Sequence, residues 1–407
     1  MLYKKFQDMN LSRLGMGNMR LPKLEGNGEA IDEIKARRLI EEAYASGINY
    51  FDTAYRYHAG QSERVTGMVL NQFPRDSFYL ATKMPGHMMN YENGKFNFTG
   101  LLANFPSRSP SEVFEEQLEK CRVDYFDFYL LHNICETSYE FYTNEEIGVI
   151  AYLLEQKQKG RIRHLGFSAH GQAQTIEKFL VWSESRFPDG CFEIAQIQLN
   201  YLDWTLQNAG MKYEILTKRR LPVVVMEPCR GGKLASFNDR ITTMLKTARP
   251  GDSIASWAFR FINALPNVQV TLSGMSSLEQ LRDNLKTFSD PSPLTDDENA
   301  VLQKTVAALV DMVPCTGCRY CTGECPQRLN IPGLISIYNE IANGESFSWN
   351  VLDSFTLSAM TEAELPSNCS GCGNCKQICP QGIDIPEIMR KLAEAIDENN
   401  RRKSKQL

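Results

Sequence analysis

The chain has 407 residues, with 44 basic and 49 acidic side chains and a formal net charge of -5. A mildly acidic chain has no general attraction for nucleic acid or anionic lipid, so neither is expected as a partner. No apolar run approaches the roughly 20 residues of a spanning helix, and the N-terminus MLYKKFQDMN lacks a signal-peptide core, so we expect a cytoplasmic protein without membrane contact. The length exceeds what one hydrophobic core usually serves, which predicts a large domain and a small one.

The first 290 residues alternate short β-branched or aromatic runs with longer amphipathic stretches. The predicted strands are Tyr50–Asp52, Phe78–Ala81, Phe126–Leu130, Arg163–Phe167, Ile194–Ile197, Val223–Val225 and Val268–Val270. Helical periodicity runs over Glu33–Ala45, Ser111–Arg122, Ile147–Lys159 and Gln172–Ser185. This order predicts an α/β fold with a parallel sheet, either doubly wound or closed as a (β/α)8 TIM barrel. The early strands are not followed by G-x-G-x-x-G, which favours the barrel over residues 1–290.

The alternation ends at Asp290-Pro291-Ser292-Pro293. Thr295 and Glu298 then have the spacing of a capping box that opens a helix, so residues 291–312 are predicted to form a linker helix. Residues 313–407 follow as a small cysteine-rich domain. Within it, Ala342–Ser367 has no clear period and is interpreted as an insertion of unknown purpose.

Eight of the twelve cysteines form two copies of the spacing C-x2-C-x2-C-x3-C-P. The candidate metal ligands are Cys315, Cys318, Cys321 and Cys325 in the first copy and Cys369, Cys372, Cys375 and Cys379 in the second. Such tight spacing suits thiolate ligation in a reducing compartment better than disulfides. Zinc is the alternative, since C-x2-C pairs also build zinc ribbons, but zinc gives no reason for three thiolates at three-residue steps, twice, each run ending in C-P. The isolated Cys121, Cys135, Cys191 and Cys229 are interpreted as small buried hydrophobes.

The two copies resemble the bacterial two-cluster ferredoxins, in which the fourth cysteine of each run ligates the other cluster. The resemblance implies two [4Fe-4S] clusters. The implied ligand sets are Cys315, Cys318, Cys321 and Cys379 for one cluster and Cys369, Cys372, Cys375 and Cys325 for the other.

Four polar residues in the first half are predicted to meet at one end of the barrel. Asp52, Lys83 and His132 close predicted strands, and Tyr57 follows Asp52 in the next loop. Side chains at the carboxyl ends of barrel strands converge on one site. Singly, each has a structural explanation as a cap, a surface residue or a core histidine; together they predict a catalytic site.

Here the sequence resembles the aldo-keto reductase family. The motifs that carry the likeness are Asn18-Met19-Arg20-Leu21-Pro22, Phe51-Asp52-Thr53-Ala54 with Tyr57, Ala81-Thr82-Lys83, Leu130-Leu131-His132, Gly166-Phe167-Ser168, and Gly274 with Asn284. The family's catalytic tetrad falls on Asp52, Tyr57, Lys83 and His132. The resemblance implies hydride transfer between a nicotinamide, NADP or NAD, and a small-molecule carbonyl or alcohol substrate.

The residue types suit that chemistry. Hydride transfer to a carbonyl leaves negative charge on oxygen, which needs a proton donor and stabilising groups. Tyr57 is predicted to donate, Lys83 to lower the phenol pKa, Asp52 to hold the lysine, and His132 to orient the carbonyl.

The resemblance also implies a nucleotide site. Its candidate residues are Asn18, Met19, Asp52, Ser168, Gln196, Met226, Gly274, Gln280 and Asn284. Ala169 stands where the family often has asparagine, with His170 a possible substitute, and Met226 replaces a common aromatic. Gly274-Met275-Ser276 with Gln280 lacks the Lys and Arg that often bind a 2′-phosphate, so the choice between NADPH and NADH stays open. Arg230-Gly231-Gly232 is either a loop that closes over the pyrophosphate or a surface turn.

Three hypotheses join the two halves. The chain is an enzyme whose clusters exchange electrons with a redox partner protein, an enzyme whose clusters only brace the C-terminus, or a non-catalytic redox-sensing or docking protein. A complete tetrad favours catalysis. Hydride carries two electrons and a cluster one, a mismatch that a flavin normally bridges, yet the sequence contains no recognisable flavin motif. Aromatic and methionine residues in Gly86–Ser109 and Asn133–Thr143 favour an apolar or ring-bearing substrate.

Overall fold

The computed structural model describes residues 1–25, 30–99, 102–237, 239–290, 292–309, 313, 315, 319–342, 360–379 and 382–404. The chain divides into two compact units. The first comprises Met1–Ala235 and Gly251–Thr295, and the second comprises Ser236–Pro250 and Asp296–Leu407.

The first unit is a closed barrel of eight parallel strands, which confirms the predicted (β/α)8 fold. In barrel order the strands are β3 (Leu14–Gly17), β4 (Tyr50–Asp52), β5 (Tyr79–Met84), β8 (Phe126–Ile134), β9 (Ile162–Ala169), β10 (Ile194–Gln198), β11 (Val223–Met226) and β12 (Val268–Ser273). Strands covered on both faces favour continuous apolar runs over alternation. The run Val223–Val225, fully buried, shows this.

Two antiparallel hairpins that the sequence analysis did not predict accompany the barrel. The first joins β1 (Tyr3–Phe6) to β2 (Met9–Ser12), and the second joins β6 (Met89–Glu92) to β7 (Lys95–Phe98). Phe6 of the first hairpin packs against Phe128 and His164, at 5.5 and 5.1 Å between ring centroids. This hairpin therefore seals the end of the barrel where the strands begin, and leaves the opposite end, here called the mouth, for function.

Helices alternate with the barrel strands on the outside. They are α1 (Glu33–Ala45), α2 (Gln61–Leu70), α3 (Pro110–Cys121), α4 (Tyr139–Thr143), α5 (Val149–Gln158), α6 (Ala173–Arg186), α7 (Asp203–Leu206), α8 (Ala209–Lys218), α10 (Ile254–Asn263) and α11 (Leu278–Ser289). Buried residues such as Leu39 and Phe179 join these helices to the strands in one core. Cys121 and Cys191 lie in this core, as predicted, whereas Cys135 and Cys229 are partly buried.

The second unit is helical. Its helices are α9 (Asp239–Ala248), α12 (Asp296–Leu309), α13 (Tyr320–Gly323), α14 (Ile331–Ala342), α15 (Asn374–Ile378) and α16 (Ile385–Ser404). Leu334, Ile335, Met389 and other apolar residues of α14 and α16 form its core. Arg249, next to α9, donates from Nη1 to both carboxylate oxygens of Glu298 in α12 at 2.8 Å. Residues 236–250 thus join this unit although they lie between two barrel strands in sequence.

Two sequence predictions fall partly outside the described residues. Cys318 is not among them, and neither are residues 343–359 of the interpreted insertion. Of the rest of that segment, Glu362–Glu364 and Pro366–Asn368 form short 3₁₀ turns. None of the helices in the described ranges is long and apolar enough to span a bilayer.

Candidate active site and cluster ligands

The structure brings the four predicted tetrad residues together at the mouth. Lys83, in β5, lies with Nζ 2.6 Å from Asp52 Oδ1 at the end of β4 and 3.5 Å from Tyr57 Oη. Its third partner is the Thr53 carbonyl oxygen, at 2.7 Å. The His132 ring stands edge-on to the Tyr57 ring, with centroids 6.0 Å apart. One buried ammonium therefore links a carboxylate to a phenol beside an imidazole.

Burial and charge act against each other in this group. Burial favours a neutral Lys83, but Asp52 and Tyr57 outweigh it and raise the lysine pKa. Burial also raises the pKa of Tyr57, and the opposing pull of Lys83 does not cancel it. The charge of Lys83 lowers the pKa of Tyr57, as predicted, but burial of the phenol raises that pKa by more. Tyr57 therefore carries its proton at neutral pH.

His132 has a second imidazole beside it that the sequence analysis missed. The ring of His87, in the 3₁₀ turn Gly86–Met88 directly after β5, lies 4.4 Å from the His132 ring between centroids. Burial lowers the pKa of His87 to about 4. The pKa of His132 lies well below 6.5, mainly because the ring is buried and then because of the nearby His87, Lys83 and His170. Both rings are neutral at pH 7, so His132 can act through hydrogen bonding without carrying charge.

Tyr142 in α4, which the sequence analysis counted among the aromatic residues of a substrate loop, connects the strands of the site. Its hydroxyl lies 2.8 Å from the carbonyl oxygens of both Met84 and His132. Gly86 makes room for the ring, since a Cβ there would come within 2.6 Å of Tyr142. Its contacts with the two carbonyl oxygens were not predicted, because they depend on how the short helix after β8 packs at the mouth.

Two of the predicted nucleotide residues lie side by side on neighbouring strands. Gln196 in β10 pairs in register with Ser168 in β9. The Gln196 side chain is buried, and its Oε1 has no hydrogen-bond partner among the described residues. Ser168 Oγ accepts from the Asn133 N–H at 2.8 Å. A buried amide oxygen without a donor fits the carboxamide N–H of a nicotinamide.

The remaining nucleotide residues divide between the mouth and the protein interior. Asn18 turns inward: it is fully buried, and its Nδ2 donates to Thr66 Oγ1 in α2 at 2.8 Å. Met19 beside it is half exposed, and Met226 ends β11 partly buried. Asn284 Nδ2 donates to Ser273 Oγ at 2.9 Å.

Arg20, unassigned by the sequence analysis, crosses the Gly274 backbone. A Cβ on Gly274 would lie 3.1 Å from Arg20 Cδ, so glycine allows this approach. The Arg20 guanidinium pairs with Glu227, just after β11, at 3.3 Å. Further along the same loop, Arg230 pairs with the buried Asp203 at 3.2 Å. The loop after β11 is therefore tied to the turn after β3 and to the start of α7.

The four cysteines of one predicted ligand set border the same cavity in the second unit. Cys325, Cys369, Cys372 and Cys375 line a single cavity, together with apolar residues such as Ile331 and Met389. Cys372 is exposed and Cys375 is buried. Burial, followed by the nearby Cys369 and Cys372, raises the pKa of Cys375 to about 11. Four soft sulfur donors around one cavity fit an iron-sulfur cluster.

The other set is described in part. Cys315, Cys321 and Cys379 contact the same apolar core, while Cys318 lies outside the described residues. Within the described part of the chain, no three His, Cys, Asp or Glu side chains converge closely enough to bind a single metal ion.

Comparison with known proteins agrees with both units. Residues 13–307 match the model of the aldo/keto reductase family, and residues 314–383 match that of the 4Fe-4S dicluster domain. The NADH-specific methylglyoxal reductase of Escherichia coli K12 is 30% identical over 335 residues, covering 74% of this chain and 97% of the relative. The L-galactose dehydrogenase of Arabidopsis thaliana is 23% identical, covering 75% and 92%. The holo structure of the aldo-keto reductase AKR11C1 from Bacillus halodurans is 26% identical, with a TM-score of 0.56, and the match covers 75% of this chain and 96% of that one.

Fold and comparisons together define an oxidoreductase built on a (β/α)8 barrel. The chain belongs to the aldo/keto reductase family and carries a 4Fe-4S dicluster domain after the barrel.

Proposed function

We propose that the barrel reduces the carbonyl group of a small molecule with NADH, or oxidises the corresponding alcohol, using Asp52, Tyr57, Lys83 and His132. The observation that carries the proposal is the position of the Lys83 ammonium, 2.6 Å from Asp52 and 3.5 Å from Tyr57. A protein that only binds or senses a nucleotide has no need of a phenol placed beside a buried lysine.

The chain's own residues transfer one proton to the carbonyl oxygen. Bound nicotinamide supplies the hydride. Tyr57 holds its proton at neutral pH and donates it to the carbonyl oxygen, where negative charge develops. Lys83 stabilises the phenolate that remains, and Asp52 keeps Lys83 charged and in place. Neutral His132 donates a hydrogen bond to the same carbonyl oxygen.

The nucleotide is assigned to the side of the mouth where β9 to β12 end. Gln196 and Ser168 would bind the carboxamide, and the loop after β11, tied by Arg20 and Arg230, would cover the pyrophosphate. Two features favour NADH. The backbone N–H of Ser276 already donates to Gln280 Oε1 at 2.7 Å, and Arg282 lies 3.7 Å from Glu42. The similar E. coli protein is described as NADH-specific.

The second unit is proposed to hold two [4Fe-4S] clusters that exchange single electrons with a redox partner protein. Cys325, Cys369, Cys372 and Cys375 would hold one cluster, and Cys315, Cys318, Cys321 and Cys379 the other. The exposure of Cys372 supports electron transfer over a purely bracing role, since it places one ligand at the surface where a partner can dock.

Tyr57→Phe tests the catalytic proposal. Loss of the proton donor should lower kcat for aldehyde reduction by about 10²- to 10⁴-fold, while NADH binding, measured by fluorescence, stays unchanged. Tyr55→Phe is the matched control, because the Tyr55 hydroxyl donates to Glu116 at 2.9 Å and takes no part in the tetrad. Turnover by Tyr57→Phe at the wild-type rate would remove Tyr57 from the mechanism.

Cys372→Ser separates electron transfer from bracing. If the clusters carry electrons, the variant keeps NADH-dependent aldehyde reduction but loses electron exchange with an added bacterial ferredoxin, followed by EPR. Cys191→Ser, at a buried cysteine of the barrel, is the control. Loss of aldehyde reduction together with unfolding of the barrel would support bracing instead.

A further inference from the structure

Lys212 is a buried lysine that the proposed catalytic cycle does not use. It lies in the first half of α8, and only 4% of the residue is exposed. Among the described residues, its ammonium has neither a hydrogen bond nor an ion pair within 4 Å. The stem of Lys212 is buried while its Nζ keeps contact with solvent, so its three donors are open to water or to a bound anion. Desolvation nevertheless lowers the pKa of Lys212.

The charges of two carboxylates, Asp203 and Glu136, raise the pKa of Lys212, but both carboxylates form their hydrogen bonds with other residues. Asp203 Oδ2 accepts hydrogen bonds from Gln198 and Asn200 at 2.8 and 2.7 Å, and Oδ1 faces Arg230. Both groups influence the charge of Lys212, but neither contacts it.

Glu136 is engaged at the start of α6. Its Oε1 accepts from the Gln172 N–H at 2.9 Å and from Thr175 Oγ1 at 2.7 Å. The two carboxylates therefore balance the lysine charge from a distance while its three donors stay available.

The lysine belongs to the same mouth as the tetrad. Glu136 follows β8, His170 follows β9, and α8 follows β10, so all three positions gather where the strands end. After desolvation, the charge of Lys212 is the largest influence that lowers the pKa of His170, and Lys83 acts on the same ring. His170 thus lies within the electrostatic reach of both the tetrad lysine and Lys212.

We propose that the Lys212 ammonium binds an anionic group, a carboxylate or a phosphate, on the carbonyl substrate. The inference rests on the proposed function and refines its substrate class: oxo acids or phosphorylated aldehydes are preferred to uncharged carbonyl compounds. An anion at this position would accept hydrogen bonds from the Lys212 N–H groups that Asp203 and Glu136 do not use. Such a charge-assisted hydrogen bond is stronger in a water-poor mouth than in solution.

Matched substrate pairs provide the test. With NADH, the wild-type protein should reduce 4-oxobutanoate with at least about tenfold higher kcat/KM than butanal, or glyceraldehyde 3-phosphate with the same advantage over glyceraldehyde, a ratio expected of one charge-assisted hydrogen bond. The first pair reports a carboxylate site and the second a phosphate site.

Lys212→Met keeps the length and packing of the side chain but removes its charge. It should abolish the preference and leave reduction of butanal and glyceraldehyde unchanged. Lys218→Met is the matched control, since Lys218 is exposed on the same helix. Lys212→Arg restores a cation and should recover part of the preference. Equal kcat/KM within both wild-type pairs, or an equal loss for charged and uncharged substrates in Lys212→Met, would overturn the proposal.

A binding measurement keeps this inference separate from the proposed reaction. 4-Hydroxybutanoate and inorganic phosphate should each be tested for a rise in thermal midpoint of the wild-type protein with NAD bound. A rise with either anion that Lys212→Met lacks supports the site even if aldehydes are not reduced. No rise with either anion contradicts the site even if butanal is reduced.

Discussion

The hydroxyl of Tyr142 lies 2.8 Å from the carbonyl oxygen of His132, and at the same distance from that of Met84. The paired segment of β5 and β8 ends at Met84 and Leu131. The Tyr142 hydroxyl therefore bonds to both strands at the point where their backbone pairing ends. One side chain outside the barrel thus holds together the backbone segments that carry Lys83 and His132.

Removing this hydroxyl should affect stability and turnover together. Tyr142→Phe loses a hydrogen bond to buried carbonyls, which should lower the free energy of unfolding by about 1 to 2 kcal/mol. Looser placement of His132 should reduce kcat by about fivefold, with the KM for NADH unchanged. Urea unfolding and steady-state kinetics measure both. Tyr139→Phe, in the same helix, is the control, and a Tyr142→Phe protein with wild-type kcat would show that the hydroxyl does not position His132.

The pH dependence of stability should reveal His87. Its pKa is about 4 in the folded protein against an ordinary 6.5, so the unfolded chain binds the proton more tightly. Its contribution to stability is complete above pH 6.5 and is lost as the pH falls toward 4. At pH 5.0 the expected loss is about 2 kcal/mol relative to pH 7.5.

His87→Phe isolates this effect from the other titrating groups. The variant should lose less stability than the wild type between pH 7.5 and 5.0, measured by urea unfolding at each pH. Parallel losses in the two proteins would mean that His87 titrates normally in the fold.

Nucleotide preference should depend on the segment that follows β12. Ser276 and Gln280 present no cation to a 2′-phosphate, so the wild-type protein should favour NADH. Gln280→Arg adds a guanidinium and should raise kcat/KM for NADPH by about tenfold, as expected of one charge-assisted hydrogen bond. Gln280→Met, which adds no charge, is the control. A wild-type preference for NADPH would refute the assignment.

The cluster ligands can be assigned by counting iron. Anaerobically purified wild-type protein should contain about eight iron and eight sulfide per chain. The double variant Cys325→Ser with Cys372→Ser should keep about four iron, because both residues are proposed to serve the same cluster. If each sequence run instead held its own cluster, the double variant would lose both. Stoichiometric zinc without sulfide would exclude clusters altogether.

Local sequence patterns predicted the framework of the barrel well. Tyr50–Asp52 and Glu33–Ala45 appear with the expected bounds, since a buried parallel strand and an amphipathic helix each leave a clear periodicity. The first barrel strand and both hairpins were not among the predicted strands. The glycine-rich Leu14–Gly17 becomes a strand through pairing with strands distant in sequence, which a short window does not contain. Lys95–Phe98 alternates polar and aromatic residues, a strand pattern that the sequence analysis did not use.

The same limit applied to the site. Asp52, Tyr57, Lys83 and His132 could be chosen because each follows a recognisable strand. His87 and Lys212 could not, because their meaning comes from what surrounds them: a ring 4.4 Å from His132 in one case, and the lack of a described partner in the other. Asn18 fits the motif and directs part of its side chain inward, with Nδ2 donating to Thr66, and its place in the nucleotide site stays a prediction.

Helix α9 has a consequence for how this chain can be divided. It is encoded between β11 and β12, yet its buried Ile241 and Leu245 lie in the unit that contains α12, to which Arg249 and Glu298 also fasten it. A stop codon after Thr295 would therefore leave an apolar helix face without its cover and a guanidinium without its carboxylate. A chain that ends at Thr295 should therefore be recovered as aggregate, whereas one that ends after α12 keeps both sides of this contact, and the family match to residues 13–307 covers α9 and most of α12.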